Sequence, residues 1–273
     1  MSSLIQSTVE GGPGVVTVTL RITIHRRLLL GGLDCAVIFP WSGNNASIKD
    51  ITSLLSECPP KSYLSSFHID HTIRRISEKH RDLHGPEVSG HHILTTVDIL
   101  GTIKTFYGSR RKPVKVGNAL WEHLMKIENQ VIEGEVDSVG GVYHLPLHWV
   151  SVIFNIQEGR ILYGDSLNQP LPKPEHYAFI QWVKHLRQRS NLVNVSISVQ
   201  LLPTGNQDDS ASCGLFVLNA IGHHHLGHPL LSPDQKLLVC DRMEIALDIL
   251  HANTVRPSLI IILDFYSMNA ADR

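Results

Sequence analysis

The nineteen residues from Leu147 to Asp165 constrain the fold of this chain more than any other stretch. Between Leu147 and Phe154, His148, Val150, Val152 and Phe154 fall on one side of an extended chain and Trp149, Ser151 and Ile153 on the other, the period-two pattern of a strand. Gly159 to Asp165 can return as its antiparallel partner through a loop at Asn155 to Glu158. Centring that loop between Ile156 and Gln157 sets Phe154 opposite Gly159, Val152 opposite Ile161, Val150 opposite Tyr163 and His148 opposite Asp165. Directly opposed residues project to one face with Cβ atoms about 4.5–5.5 Å apart. The hairpin therefore sets a carboxylate against an imidazole.

Elements of both types surround the hairpin. Val15 to Ile24 alternates and is rich in β-branched residues, which predicts a strand. Ser47 and Asp50 can cap a short helix bearing Ile48, Ile51, Leu54 and Leu55, stopped by Pro59 and Pro60. Ile69 to His84 is basic and His-rich without a clean period, and His91 to Ile103 is apolar and of undecided type. Leu120, Leu124 and Ile127 recur at helical spacing within Asn118 to Val131, and Glu133 to Gly141 reads as a turn-rich link. Past the hairpin, Pro172 and Pro174 open a helix from Glu175 to Arg189 with Tyr177, Ile180, Val183 and Leu186 at a spacing of three and a cationic last turn. Val193 to Leu201 alternates as another strand, and Ser232-Pro233-Asp234-Gln235 is a capping box that starts a helix running to about His251. Residues 1–80 read as an accessory N-terminal segment packed on a domain spanning residues 81–273.

The chemistry centres on Gln207 to Asn219. A polar loop delivers Cys213 to the first turn of a helix whose Leu215, Phe216, Val217, Leu218, Ala220 and Ile221 are apolar all round, so protein surrounds it. Unpaired N–H groups and the positive end of the helix dipole favour a thiolate there. Catalysis by a thiol needs a base, a group that orients the base, and a donor for the oxyanion. His148, Asp165, and Gln207 with the Cys213 N–H fill these roles in turn, and Gly214 permits close approach. Each residue also has a plainer reading: Cys213 as a buried hydrophobe, His148 as a polar strand end, Asp165 as a turn former, Gln207 as a loop anchor and Trp149 as a core aromatic.

His148-Trp149 at a strand start, Asp165-Ser166-Leu167 at the end of the next strand, and Gln207 six residues before Cys213-Gly214 resemble the ubiquitin-like-protein proteases, the SUMO-protease group of the adenovirus-protease-like clan. The resemblance covers about residue 81 to the C-terminus. It implies an α+β, papain-like or adenovirus-protease-like cysteine protease fold, a central mixed sheet with the nucleophile at the N-terminus of a buried helix. It also implies a triad of Cys213, His148 and Asp165, an oxyanion hole containing Gln207, and Trp149 over a narrow channel that admits only a glycine tail. The implied substrate and partner is a ubiquitin-like modifier, SUMO-like first, or its conjugates, cut after the C-terminal glycine. The family's second, earlier tryptophan has no counterpart in the nearest stretch, Val88 to Ile93, which holds neither Trp nor Asp.

Composition narrows the alternatives. A formal net charge of −1 with interspersed signs gives no electrostatic case for nucleic acid or an anionic membrane. The four cysteines, Cys35, Cys58, Cys213 and Cys240, form no CxxC pair; with no signal peptide evident, they predict an intracellular protein of the nucleus or cytosol. The apolar runs Leu28 to Pro40 and Leu259 to Leu263 are too short to span a bilayer. His223-His224-His225 with His228 reads as a solvated helix end, since consecutive histidines point in different directions; no metal and no cofactor are expected. Two other functions compete, a catalytically silent modifier-binding module and a clan-related acyltransferase. Oligomeric state is open.

Overall fold

A computed structural model of the chain describes residues 2–9, 16–23, 63–108, 119–192, 196–234 and 262–267, with scattered positions between 238 and 249. Met1–His68 with Asp234–Arg273 form one compact unit and Ile69–Pro233 the other. In the first, β1 (Ser2–Val9), β2 (Val16–Thr23) and β8 (Ile262–Ser267) make an antiparallel sheet with β2 in the middle. The strand expected at Val15 to Ile24 is β2. The helix expected near Ser47 lies outside the described residues, as does half of the one expected from Ser232. The described positions between Leu238 and Ile249 are helical, and the Leu238 N–H donates to Asp234 O.

The second unit holds a five-stranded mixed sheet, in the order β3 (His92–Thr95), β4 (Ser138–Leu145), β5 (His148–Asn155), β6 (Arg160–Gly164), β7 (Ser198–Leu201). The inner pairs β4–β5 and β5–β6 are antiparallel and the outer two parallel. Its helices are α1 (Ser66–Ser89, from Ile69 on in this unit and broken at Gly85 with φ 76°), α2 (Val97–Gly108), α3 (Ala119–Ile132), α4 (Lys173–Arg189) and α5 (Cys213–Leu226). Residue 80, where the accessory segment was expected to end, lies within α1.

Two elements depart from the sequence reading. Ile69, Ile73, Ile76 and His80 form a buried helical stripe on α1, hidden in the sequence because its last member is a histidine. Glu133 to Gly141 is a turn only at its start; from Ser138 it becomes β4, a central strand. Its glycines serve close packing, since a Cβ on Gly141 would sit 2.8 Å from Thr95 O and one on Gly140 3.0 Å from Ile153 Cγ1.

α2, α3 and α4 pack on the sheet around Phe154, Phe179 and Trp182, whose rings meet edge-to-face at 4.8 and 5.2 Å. The buried face of α4 runs through Ala178, Phe179, Trp182, Val183 and Leu186, while Tyr177 of the expected stripe is exposed. Within this apolar layer sits Glu128, fully buried, accepting hydrogen bonds at Oε1 from Tyr107 Oη and Trp182 Nε1, each at 2.8 Å. Those two donors lock three helices to one carboxylate.

The β5–β6 hairpin forms, with its register moved. Phe154 faces Ile161, Val152 faces Tyr163 and Asn155 faces Arg160, two residues from the expected pairing. The turn is Ile156 to Gly159, closed by Gly159 at φ 65° and gripped by buried Arg187, whose Nη1 donates to Ile156 O (2.5 Å) and Gln157 O (2.7 Å). A shift by two keeps every side chain on its face. His148 and Asp165 therefore stay on one side of the sheet as diagonal neighbours, not opposed ones.

Gly141→Ala is expected to destabilise the protein by about 1–3 kcal/mol, because a backbone carbonyl blocks the new methyl. Gly101→Ala, within α2 and with open space around its Cβ, should be neutral or stabilising by up to about 1 kcal/mol. Urea denaturation of the two variants beside the parent checks both.

Candidate active site

Asp165 follows the last residue of β6 and is almost completely buried. It is held at four points. His148 Nε2 lies 2.8 Å from Oδ1, the Leu167 N–H donates to Oδ1 at 2.7 Å, Tyr163 Oη donates to Oδ2 at 3.2 Å, and the Asn168 N–H closes the turn onto Asp165 O at 3.0 Å. Burial alone would raise the carboxyl, but the bonds from His148 and the Leu167 amide outweigh it and hold it below its ordinary value. It is thus a carboxylate.

His148 is set by the two-residue turn Pro146–Leu147 that joins β4 to β5, in which Leu147 takes φ 59° and is 79% exposed. A leucine in that region is strained, and the strain sits next to the imidazole. His148 Nε2 is thus on Asp165, and the same side chain also hydrogen-bonds Cys213. Burial opposes the charged ring, yet the bonds to Asp165 and Cys213 and their charges raise its pKa to about 9.

Cys213 is the first residue of α5 and fully buried. The Leu215 and Phe216 N–H groups bond Ser212 O at 2.9 and 3.3 Å, which leaves the Cys213 and Gly214 amides as donors without an intrahelical acceptor. Asp209 builds the turn ahead of the thiol: its Oδ1 accepts from the Ala211 N–H (2.8 Å) and the Ser212 N–H (2.7 Å), and its Oδ2 from Ser212 Oγ (2.6 Å). Sequence reasoning passed over Asp209. Its spacing of two and three from the residues it holds is the Asx-turn signature and was there to be read.

Gln207 is anchored across the site to the β6 end. Its N–H donates to Ser166 O (3.1 Å), its Oε1 accepts from Ser166 Oγ (2.5 Å), and its Nε2 donates to Asp209 O (2.7 Å). An amide nitrogen carries two hydrogens, so one remains after the Asp209 bond. Trp149 is buried on the opposite face of β5 from His148, its ring 4.3 Å from that of His144. Val88 ends up exposed near the end of α1, just before β3.

A cysteine at a helix start, a histidine bonded to it and a carboxylate behind the histidine are the groups that catalysis by a thiol requires. Residues 138–253 match the C-terminal catalytic domain of the Ulp1 protease family, which supports a cysteine-type peptidase. Solved structures agree in fold. One of the SUMO protease Ulp1 with its catalytic cysteine oxidised to a sulfinic acid is 14% identical, with TM-score 0.57 over 84% of this chain and 97% of that one. A de-sumoylating protease is 13% identical, with TM-score 0.56 over 77% of this chain and 88% of that one. The Ulp1 protease domain in complex with Smt3, the yeast ortholog of SUMO, is 17% identical, with TM-score 0.54 over 76% and 83%. No curated protein sequence matches the chain.

A histidine whose folded pKa exceeds its unfolded value of 6.5 stabilises the fold fully below pH 6.5 and loses that contribution as pH rises through about 9. The urea midpoint of the parent should therefore fall from pH 6.5 to 9 more steeply than that of His148→Gln. Equal slopes would contradict the raised value. Asp209→Ala strands two amides and a hydroxyl and is expected to cost about 1–3 kcal/mol and to slow alkylation of Cys213 measured by mass spectrometry.

Proposed function

We propose that this peptidase cleaves after the C-terminal glycine of a ubiquitin-like modifier, SUMO-like in kind, with Cys213, His148 and Asp165 as its triad. The observation that carries the reading is the bonded chain from Asp165 through His148 to Cys213. A doubly protonated imidazole donates to the carboxylate on one side and to sulfur on the other, which stabilises the thiolate. The thiolate attacks the glycine carbonyl, and the amides at the start of α5 with the remaining Gln207 N–H receive the oxyanion. His148 passes its proton to the departing amine, leaving a thioester. Water, deprotonated by the same imidazole, then releases the modifier's carboxylate and restores the thiol. Trp149 is assigned to the wall of the channel over the glycine tail, where an aromatic ring would exclude any residue with a side chain. Residues 1–80 are assigned an accessory role and the protein an intracellular setting.

A SUMO bearing a C-terminal electrophile is expected to form a covalent adduct with the parent protein, visible as a gel shift, and none with Cys213→Ala. An adduct that persists in this variant would sink the assignment. On a fluorogenic SUMO substrate, Asp165→Asn should lower kcat by about 10⁴ and Gln207→Ala by about 10²–10³, with KM changed little.

A further inference from the structure

Far from the thiol, four histidines from three elements crowd together. The ring of His80 on α1 has its centroid 5.6 Å from that of His92 on β3 and 5.3 Å from that of His225 at the end of α5, and His92 and His225 are 5.9 Å apart. His84, one turn along α1, lies 4.6 Å from His80. We propose that His80, His84, His92 and His225 form a structural binding site for a divalent transition metal, zinc first, which ties α1 and β3 to the C-terminal end of the nucleophile's helix.

The spacing carries the inference. With zinc–nitrogen bonds of about 2.0–2.1 Å, an imidazole centroid stands about 3.2 Å from the metal, so two rings at the tetrahedral angle have centroids about 5.2 Å apart. The three separations among His80, His92 and His225, 5.3–5.9 Å, and the 4.6 Å between His80 and His84 lie around that value. Histidines four apart on one helix face are also the spacing by which helices hold zinc.

The surroundings of the rings suit metal binding. His225 Nε2 is buried and, among the described residues, has no hydrogen-bond partner, in a residue only 8% exposed. His92 Nδ1 lies 2.6 Å from Ser138 Oγ, which orients the ring and frees Nε2, as a hydroxyl behind a metal ligand does. His223 stays outside, its Nδ1 2.5 Å from His228 O. Among the described residues no three ligating groups already close on one point, so binding calls for rotation of the rings on a backbone that keeps their spacing.

The test uses the untagged full chain, stripped by chelator and titrated with Zn²⁺ or Co²⁺ alone. One equivalent should bind, with the intense visible bands of tetrahedral cobalt. His84→Ala, a change at an exposed position, and His92→Ala should each weaken binding by at least about tenfold, and His176→Ala, on the exposed side of α4, should not. Absence of stoichiometric uptake, or uptake indifferent to His84→Ala and His92→Ala, overturns the proposal. Both readouts are independent of proteolysis.

Discussion

The bond between Asp165 and His148 is the interaction on which the rest of the second unit converges. A carboxylate this deeply buried is costly unless its lone pairs are engaged, and here an imidazole, a backbone amide and a phenol engage them. Each partner comes from a different part of the hairpin. Tyr163 precedes the carboxylate on β6, Leu167 follows it in the turn, and His148 reaches it from the start of β5. The same turn continues through Ser166 to Gln207, and Gln207 to Asp209, whose side chain holds the amides just before Cys213. Hydrogen bonds and short stretches of backbone therefore link His148, Gln207 and the residue just before Cys213 without leaving the protein.

Much of this was legible in the sequence. Period-two alternation placed β2 and β5, the hairpin loop placed β6, and the polar loop before an apolar run placed the thiol at a helix start. What failed did so for identifiable reasons. The Gly140-Gly141 pair looked like a turn because glycine's two uses, positive φ and close packing, are identical in sequence, and only the carbonyl of Thr95 shows which one operates. The α1 stripe was invisible because His80 completes an apolar face while counting as polar. Arg187 was read as a charge at a helix end, though it is buried against the β5–β6 turn and fixes where that turn begins.

The histidine-rich end of α5 shows the same ambiguity. Expected as a solvated terminus, it places His225 inside and His223 partly inside while His224 is exposed, and it is capped by Gly227 at φ 69°. Consecutive histidines do point in different directions, so only one of the three could join a cluster. Its companions come from α1 and β3, more than a hundred residues earlier, at a range no local pattern reports.

The even-numbered register shift of the hairpin leaves the two faces of its strands unchanged. Side chains alternate along β5, so sliding it by two residues returns His148 to the face of Asp165, whereas sliding it by one presents Trp149 instead. A change of length by two residues in these strands therefore preserves the face on which His148 stands, whereas a single insertion or deletion would turn it to the other. The turn between them, pinned by Arg187 through carbonyls and not through side chains, is free to vary in composition.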